Sequence, residues 1–266
     1  MPLRIFDSHC HVDDPSYDKD RDQVMDHARE AGVVAVLAAG ITVETCRKAV
    51  AMLGRYSGLF ASVGVHPHDA KSLTDEGMSE LVALSRNPKV KAWGEIGLDF
   101  NRMFSPKGDQ EKWFARQLDT AEKLGLPVIL HERDSQGRLL EILSAHPVSR
   151  KGVVHCFSGT ESELFKYLDM GYYIGITGVL THKERGEELR RLAVKIPRNR
   201  ILVETDAPYL TPWPRRNKVR RNEPAFVADV LSRLAEVLGC ELEPIAETVF
   251  QNTLAVFGIT EEEIFT

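Results

Sequence analysis

Residues 4–11 read RIFDSHCH, an apolar, β-prone run closed by two histidines one residue apart. Side chains alternate along a strand, so His9 and His11 share a face while Cys10 points the other way. By the same count Asp7 lies on the histidine face, where it is placed as an outer acceptor that orients a ligating imidazole. Short apolar runs of this kind recur along the chain, several of them ending in a polar side chain. The expected strands are Arg4–His9, Val33–Ala39, Leu59–Val65, Val90–Ile96, Pro127–His131, Gly152–Cys156, Tyr172–Thr177 and Ile201–Asp206. Several are nearly continuous in apolar residues, as VVAVLAA (33–39) shows, which suits parallel strands covered on both faces. Between them, stretches such as DQEKWFARQLDTAEKLG (109–125) and ESELFKYLDMG (161–171) are amphipathic at helical period and end on glycine.

Strands alternating with helices form either an open doubly wound sheet or a closed barrel. The polar residues decide, because they end strands 1, 3, 4, 5, 6 and 8. An open sheet collects ligand residues at one switch point, whereas a barrel brings every strand end to one mouth. The expectation is an α/β chain folded as a (β/α)8 TIM barrel, one domain over residues 1–266. Pro224–Thr266 is expected to add helices on its outside.

A length of 266 residues suits one barrel, and 43% hydrophobic with 27% charged residues is ordinary for a globular chain. No run approaches the roughly 18 apolar residues that span a bilayer. The net charge of -5 argues against an overall cationic coat and leaves room for a local basic patch. Cys10, Cys46, Cys156 and Cys240 form no CxxC pair, and charge stands where a signal peptide needs apolar residues. A cytoplasmic protein with reduced thiols is expected, with no membrane association and no obligate protein partner legible.

The strand ends carry the chemistry. His131 closes LPVIL and His155 closes GVV, in register with the His9/His11 pair. Glu95 and Asp206 add carboxylates that are costly at a strand end without a cation. Together the six make a metal site, imidazoles being common ligands of zinc and related ions. Strand parity sends Cys10 and Cys156 toward the helices. Glu204 shares a face with Asp206 one layer deeper, as support. Arg133, two residues past His131, either grips a phosphate or forms a rim salt bridge. Arg215, Arg216, Lys218, Arg220 and Arg221 crowd the loop after strand 8, which suits a nucleic-acid backbone or a solvated surface run.

In order, FDSHCHVD (6–13), GVHPHDA (64–70), GEIGLDF (94–100), LPVILHERD (126–134), GVVHCFSG (152–159), GYYIGITG (171–178), VETDAPYLTP (203–212) and RRNEPAFV (220–227) resemble the TatD-type deoxyribonuclease family of amidohydrolase-like barrels. The resemblance implies two divalent ions, one held by His9, His11 and Asp206 and the other by His131 and His155, with Glu95 bridging. It also implies a substrate contact by His66 at the mouth. Glu132 departs from the smaller residue the family often has there, and is expected to face away from the site. Four histidines favour zinc or manganese over magnesium, while the family is described as magnesium-dependent.

The implied activity is hydrolysis of DNA phosphodiesters by a metal-activated water, with Asp206 and His66 catalytic and Arg133 and Arg221 on the substrate. Two rival readings are a carboxyl-ester, lactone or amide hydrolase using the same site, and a catalytically silent nucleic-acid-binding protein.

Overall fold

A computed structural model describes residues 3–265. Among them the apolar runs pair side by side, in chain order and all parallel, as eight strands. These are β1 (Ile5–Cys10), β2 (Val33–Ala39), β3 (Leu59–Val63), β4 (Val90–Asp99), β5 (Val128–Arg133), β6 (Val153–Val154), β7 (Tyr173–Ile176) and β8 (Ile201–Val203). Helices α1 (Arg21–Glu30), α2 (Val43–Met52), α3 (Asp75–Leu84), α4 (Lys107–Leu124), α5 (Arg138–Ala145), α6 (Glu161–Asp169) and α7 (Glu187–Ala193) cross between them. After β8 come α8 (Val227–Leu238), α9 (Leu242–Phe257) and α10 (Glu261–Phe265).

Local chemistry explains the helix ends. Thr160 and Glu163 form a reciprocal capping box at the start of α6. Gly125 ends α4 in the left-handed region at φ 65°, its N–H returning to Ala121 and Glu122.

Two apolar layers hold the barrel. Outward residues such as Val36, Ala61, Leu130 and Ile174 pack beneath the helices. Inward residues Phe6, Leu37, Phe60, Ile129 and Leu202 fill the barrel, and Phe250, Leu254 and Phe257 of α9 pack against them. The C-terminal helices therefore do more than lie on the outer wall as expected. α8 completes the outer ring, while α9 closes the lower end, where Asn252 donates to the carbonyls of Arg198 and Ile201 at the start of β8.

Only β2 has the expected bounds; most of the other differences are of one or two residues, and those at β8, β6 and β4 shape the mouth. β8 stops pairing with β7 at Val203 because the chain then changes partner. After Glu204 N–H makes a last bond to Ile176 O, Asp206 N–H donates to His9 O at 2.9 Å and His11 N–H to Ala207 O at 2.7 Å, so Asp206 and Ala207 close the seam against β1. β6 is short: His155 N–H still bonds Leu130 O at 2.9 Å, but Cys156 turns away at φ 45°. β4 runs on to Asp99, pairing Gly97, Leu98 and Asp99 with His131, Glu132 and Arg133. Only glycine permits that approach at position 97, where φ is 146° and a Cβ would stand 2.0 Å from His131 O.

Candidate metal centre

Six strand-end side chains converge at the mouth. β1 offers His9, the residue just past it His11, β4 offers Glu95, β5 offers His131, and the segments after β6 and β8 offer His155 and Asp206. A bulge in β4 between Trp93 and Ile96 sets two residues against one of β5, which turns Glu95 inward. Asp206 sits at φ 57°, a left-handed conformation that Asp tolerates better than most residues.

Glu95 stands at the centre. Its Oε2 lies 3.3 Å from His9 Nε2, while its Oε1 lies 2.7 Å from His131 Nδ1 and 3.7 Å from His155 Nε2. Asp206 Oδ1 is 3.3 Å from His11 Nε2 and 3.8 Å from both His9 Nε2 and His155 Nε2. The His9 and His155 rings stack with centroids 3.6 Å apart. His9 is fully buried, and neither ring nitrogen has a hydrogen-bond partner among the described residues. An unpartnered imidazole facing two carboxylates is what a divalent cation satisfies, so the donor set fits a metal centre. His9, His11 and Asp206 can each turn one ligand atom to a common ion.

Neighbouring bonds fix the tautomers. His11 Nδ1 lies 2.9 Å from Ala39 O, so Nδ1 keeps a proton and Nε2, facing Asp206, is the nitrogen free to give up its proton to a bound ion. His155 Nδ1 lies 2.9 Å from Glu204 Oε1 as an ion pair without hydrogen-bond alignment, and Glu204 accepts Cys156 N–H at 2.6 Å. Glu204 thus orients His155, and it fits because residue 175 is glycine: a Cβ there would be 2.7 Å from that carboxylate. His66 is different. Its Nδ1 accepts His68 N–H at 3.0 Å, so the neutral ring carries its proton on Nε2, 3.4 Å from Glu95 Oε1. Burial, with His131 beside it, pushes His66 down to about 4. It therefore presents an N–H donor at neutral pH rather than a ligand lone pair.

The carboxylates hold protons in the site. Burial alone depresses His11, yet Asp206 lifts it to about 9. Against the same burial, Asp99 and Glu95 lift His131 to about 9, and Glu204, Glu95 and Asp206 lift His155 to about 10. His9 goes down, through burial and the adjacent His155.

Not every expected contact is made. Asp7 does not reach an imidazole nitrogen. It accepts Thr205 N–H at 2.8 Å and Thr205 Oγ–H at 2.6 Å, which latches β1 to the segment carrying Asp206. The cause is a register shift in β1 between Asp7 and Cys10, which breaks simple alternation between Asp7 and His9. Cys10 packs in the layer beneath the helices, as parity implies, whereas Cys156 lines the mouth because its backbone leaves the strand. Glu132 also borders the mouth cavity instead of facing away, its carboxylate accepting from Ser135 N–H and Oγ–H at 2.9 and 2.6 Å.

Arg221 is already committed elsewhere. Its guanidinium bonds both Asp20 oxygens at 2.7 and 2.6 Å and Ser16 O at 2.9 Å, and it covers the Tyr17 ring. Arg221→Ala is accordingly expected to lower folding stability by about 1–3 kcal/mol, the cost of breaking a half-buried charge pair, with KM for oligonucleotides unmoved. A urea midpoint beside KM checks this, and a raised KM with unchanged midpoint restores the substrate role.

Arg133 behaves otherwise. With His131, His155, Cys156, Arg185 and Asp206 it lines a cavity of about 400 Å³, and neither it nor Arg185 forms an ion pair among the described residues. Arg215 is bound to Asp229, and Arg216 contacts His182 Nδ1 at 3.1 Å. Two residues escaped the sequence reading. Asp99, buried at the end of β4, accepts from His68 Nε2 at 2.6 Å and faces His131 Nε2 at 3.4 Å. Despite burial, those contacts and Arg102 N–H hold it far below the usual carboxylate range. Both were signalled: Asp99 stands four residues past Glu95, on its face, and His68 is the second histidine of HPH.

Residues 6–258 match the family model for TatD related DNase. The chain is 42% identical to a 3'-5' ssDNA/RNA exonuclease TatD of Cronobacter sakazakii, over 95% of this chain and 97% of the relative. It is 41% identical to the protein of that name from Citrobacter koseri, over 96% and 99%. Among solved structures it resembles YJJV, a TatD homolog from Escherichia coli, with a TM-score of 0.90 at 32% identity, covering 98% of this chain and 100% of that one.

Proposed function

The chain belongs to the TatD related DNase family of metal-dependent hydrolases, and from that premise we propose that it hydrolyses phosphodiester bonds of single-stranded nucleic acid, DNA first, at the mouth of its barrel. The observation that carries this reading is the split of Glu95, one oxygen toward His9 and the other toward His131 and His155. His9, His11 and Asp206 would hold one divalent ion and His131 and His155 a second, with Glu95 serving both, and ions bound there would supply an activated water and neutralise charge on the phosphoryl oxygens. The imidazole-rich donor set favours zinc or manganese.

The chain's own groups supply the rest. Asp206, at the cavity wall, takes the proton of the attacking water and returns it to the leaving oxygen. His66 donates its Nε2 proton to a phosphate oxygen. Arg133 clamps the flanking phosphate with its two-pronged guanidinium. We place this work in the cytoplasm, in one barrel domain, on the reading of its four unpaired cysteines. Among the described residues no helix is long and apolar enough to cross a membrane.

Arg133→Ala is expected to raise KM for an oligonucleotide about 10-fold or more, since a charge-assisted bond contributes about 1.5–3 kcal/mol. Arg133→Lys recovers only part of it, having one point of contact. Steady-state kinetics at two salt concentrations test this; an unchanged KM removes Arg133 from the substrate. The function itself is tested with end-labelled single-stranded DNA and chelated protein resupplied with magnesium, manganese or zinc, beside Asp206→Asn. Ion-restored cleavage, absent from the variant, supports it. No cleavage with any ion, in protein shown to bind metal, overturns it.

A further inference from the structure

Five aromatic side chains are exposed among the described residues, and three of them sit on loops at the mouth: Phe104 after β4, and Tyr209 and Trp213 after β8. In a barrel of eight strands in chain order, β4 and β8 are diametrically opposed, so these rings flank the metal centre from two sides. Both inner rings meet a histidine at the mouth, one of them the ligand candidate His11. Phe104 lies edge-on to His68 with centroids 4.7 Å apart, and Tyr209 lies 5.9 Å from His11.

Phe104 and Tyr209 are 55% and 53% exposed, so a face of each ring is open to a ligand at the mouth. Their backbones are pinned. Next to Phe104, the buried Ser105 donates to His68 O at 2.7 Å, and its own carbonyl accepts from Gln110 at 2.8 Å. Tyr209 N–H bonds Asp206 O at 2.8 Å, and Tyr209 O accepts from Asn222 at 2.6 Å. Rigid backbone beneath an open ring is a preformed stacking platform. Each loop also carries cations, Arg102 two residues before Phe104 and Lys218 and Arg220 further along the segment after Tyr209, none in an ion pair among the described residues. Aromatic faces interleaved with free cations form the usual surface for unpaired bases and their phosphates.

We propose that Phe104 and Tyr209 are base-stacking residues that hold the nucleotides on either side of the scissile phosphate, so that the enzyme selects strands whose bases are free to leave the helix stack. This rests on the nuclease reading above. A paired duplex hides its base faces, whereas a single strand laid across the mouth offers one base to each rim while its backbone crosses the centre.

The test uses the full chain and two oligonucleotides of equal length, one with normal bases and one with abasic sites at the nucleotides flanking the cut. The ratio of kcat/KM for the base-bearing over the abasic strand is expected to fall about 10-fold in Phe104→Ala and in Tyr209→Ala, the range of one lost stack. Phe104→Tyr and Tyr209→Phe keep the ratio. In parallel, binding of a strand carrying 2-aminopurine, followed by fluorescence in chelator, is expected to quench with the parent and less with either alanine variant. If the parent cleaves DNA but the ratio and the quenching do not move, the stacking assignment is overturned while the nuclease stands. If the parent neither cleaves nor binds single strands, the nuclease reading fails and the platforms fail with it.

Discussion

Asp206→Asn is expected to lower kcat on single-stranded DNA about 10³-fold, within the 10²–10⁴-fold range of a lost general base. The amide has the shape of the carboxylate, so Oδ1 can remain near His11, His9 and His155, from which it now stands 3.3, 3.8 and 3.8 Å. What disappears is a negative charge and the ability to accept a proton at neutral pH. Although burial raises an isolated carboxyl, His11 and then the charge of His155 hold Asp206 below the usual carboxylate range, so it is ionised at neutral pH. Metal content measured on the same sample divides the two roles. A variant that keeps its ions and loses kcat identifies Asp206 as the base, whereas one that loses its ions identifies it as a ligand first. A kcat within 5-fold or so of the parent removes it from the proton path altogether.

The barrel was legible because its signal is redundant. Eight apolar runs at parallel-strand length, each followed by an amphipathic helix, leave few topologies, and the polar strand ends choose among them. Positions His9, His11, Glu95, His131, His155 and Asp206 come together in space for the same reason. What alternation could not resolve lies where the strands depart from it. The β1 register shift takes Asp7 off the histidine face and onto Thr205, and the turn at Cys156 brings a thiol into the mouth. Asp99 was hidden by ending β4 too early, since the glycines that let β4 and β5 run on together look, in sequence, like strand breakers. Loop cations are legible as charge but not as contacts. Arg133 and Arg221 read alike, yet only the structure shows Asp20 holding one of them.

Removing the metal is expected to make folding stability fall as pH rises from 6.5 to about 10. In metal-free protein His11 and His131 sit at about 9 and His155 at about 10, against 6.5 for free histidine. A raised imidazole stabilises fully below its unfolded value and loses that contribution as pH climbs through its folded value. The stability is therefore present below pH 6.5 and drains away between 6.5 and roughly 10, on the order of 3 kcal/mol for one such group at 1.36 kcal/mol per unit. The three share Glu95 and Asp206, so their contributions do not add. Asp7 works in the same direction up to about pH 8: burial holds it there in spite of its bonds to Thr205, so its contribution falls between the usual carboxylate range and that value. Bound divalent ions replace those protons as partners of the buried carboxylates, and their binding tightens as the imidazoles deprotonate. Urea midpoints from pH 6 to 10, with chelator and with saturating zinc or manganese, should diverge, the chelated midpoint falling and the gap to the loaded protein widening. A chelated midpoint that stays level through pH 9.5 would mean that the histidine cluster is held by packing alone, and that the carboxylates at its centre do not depend on a cation.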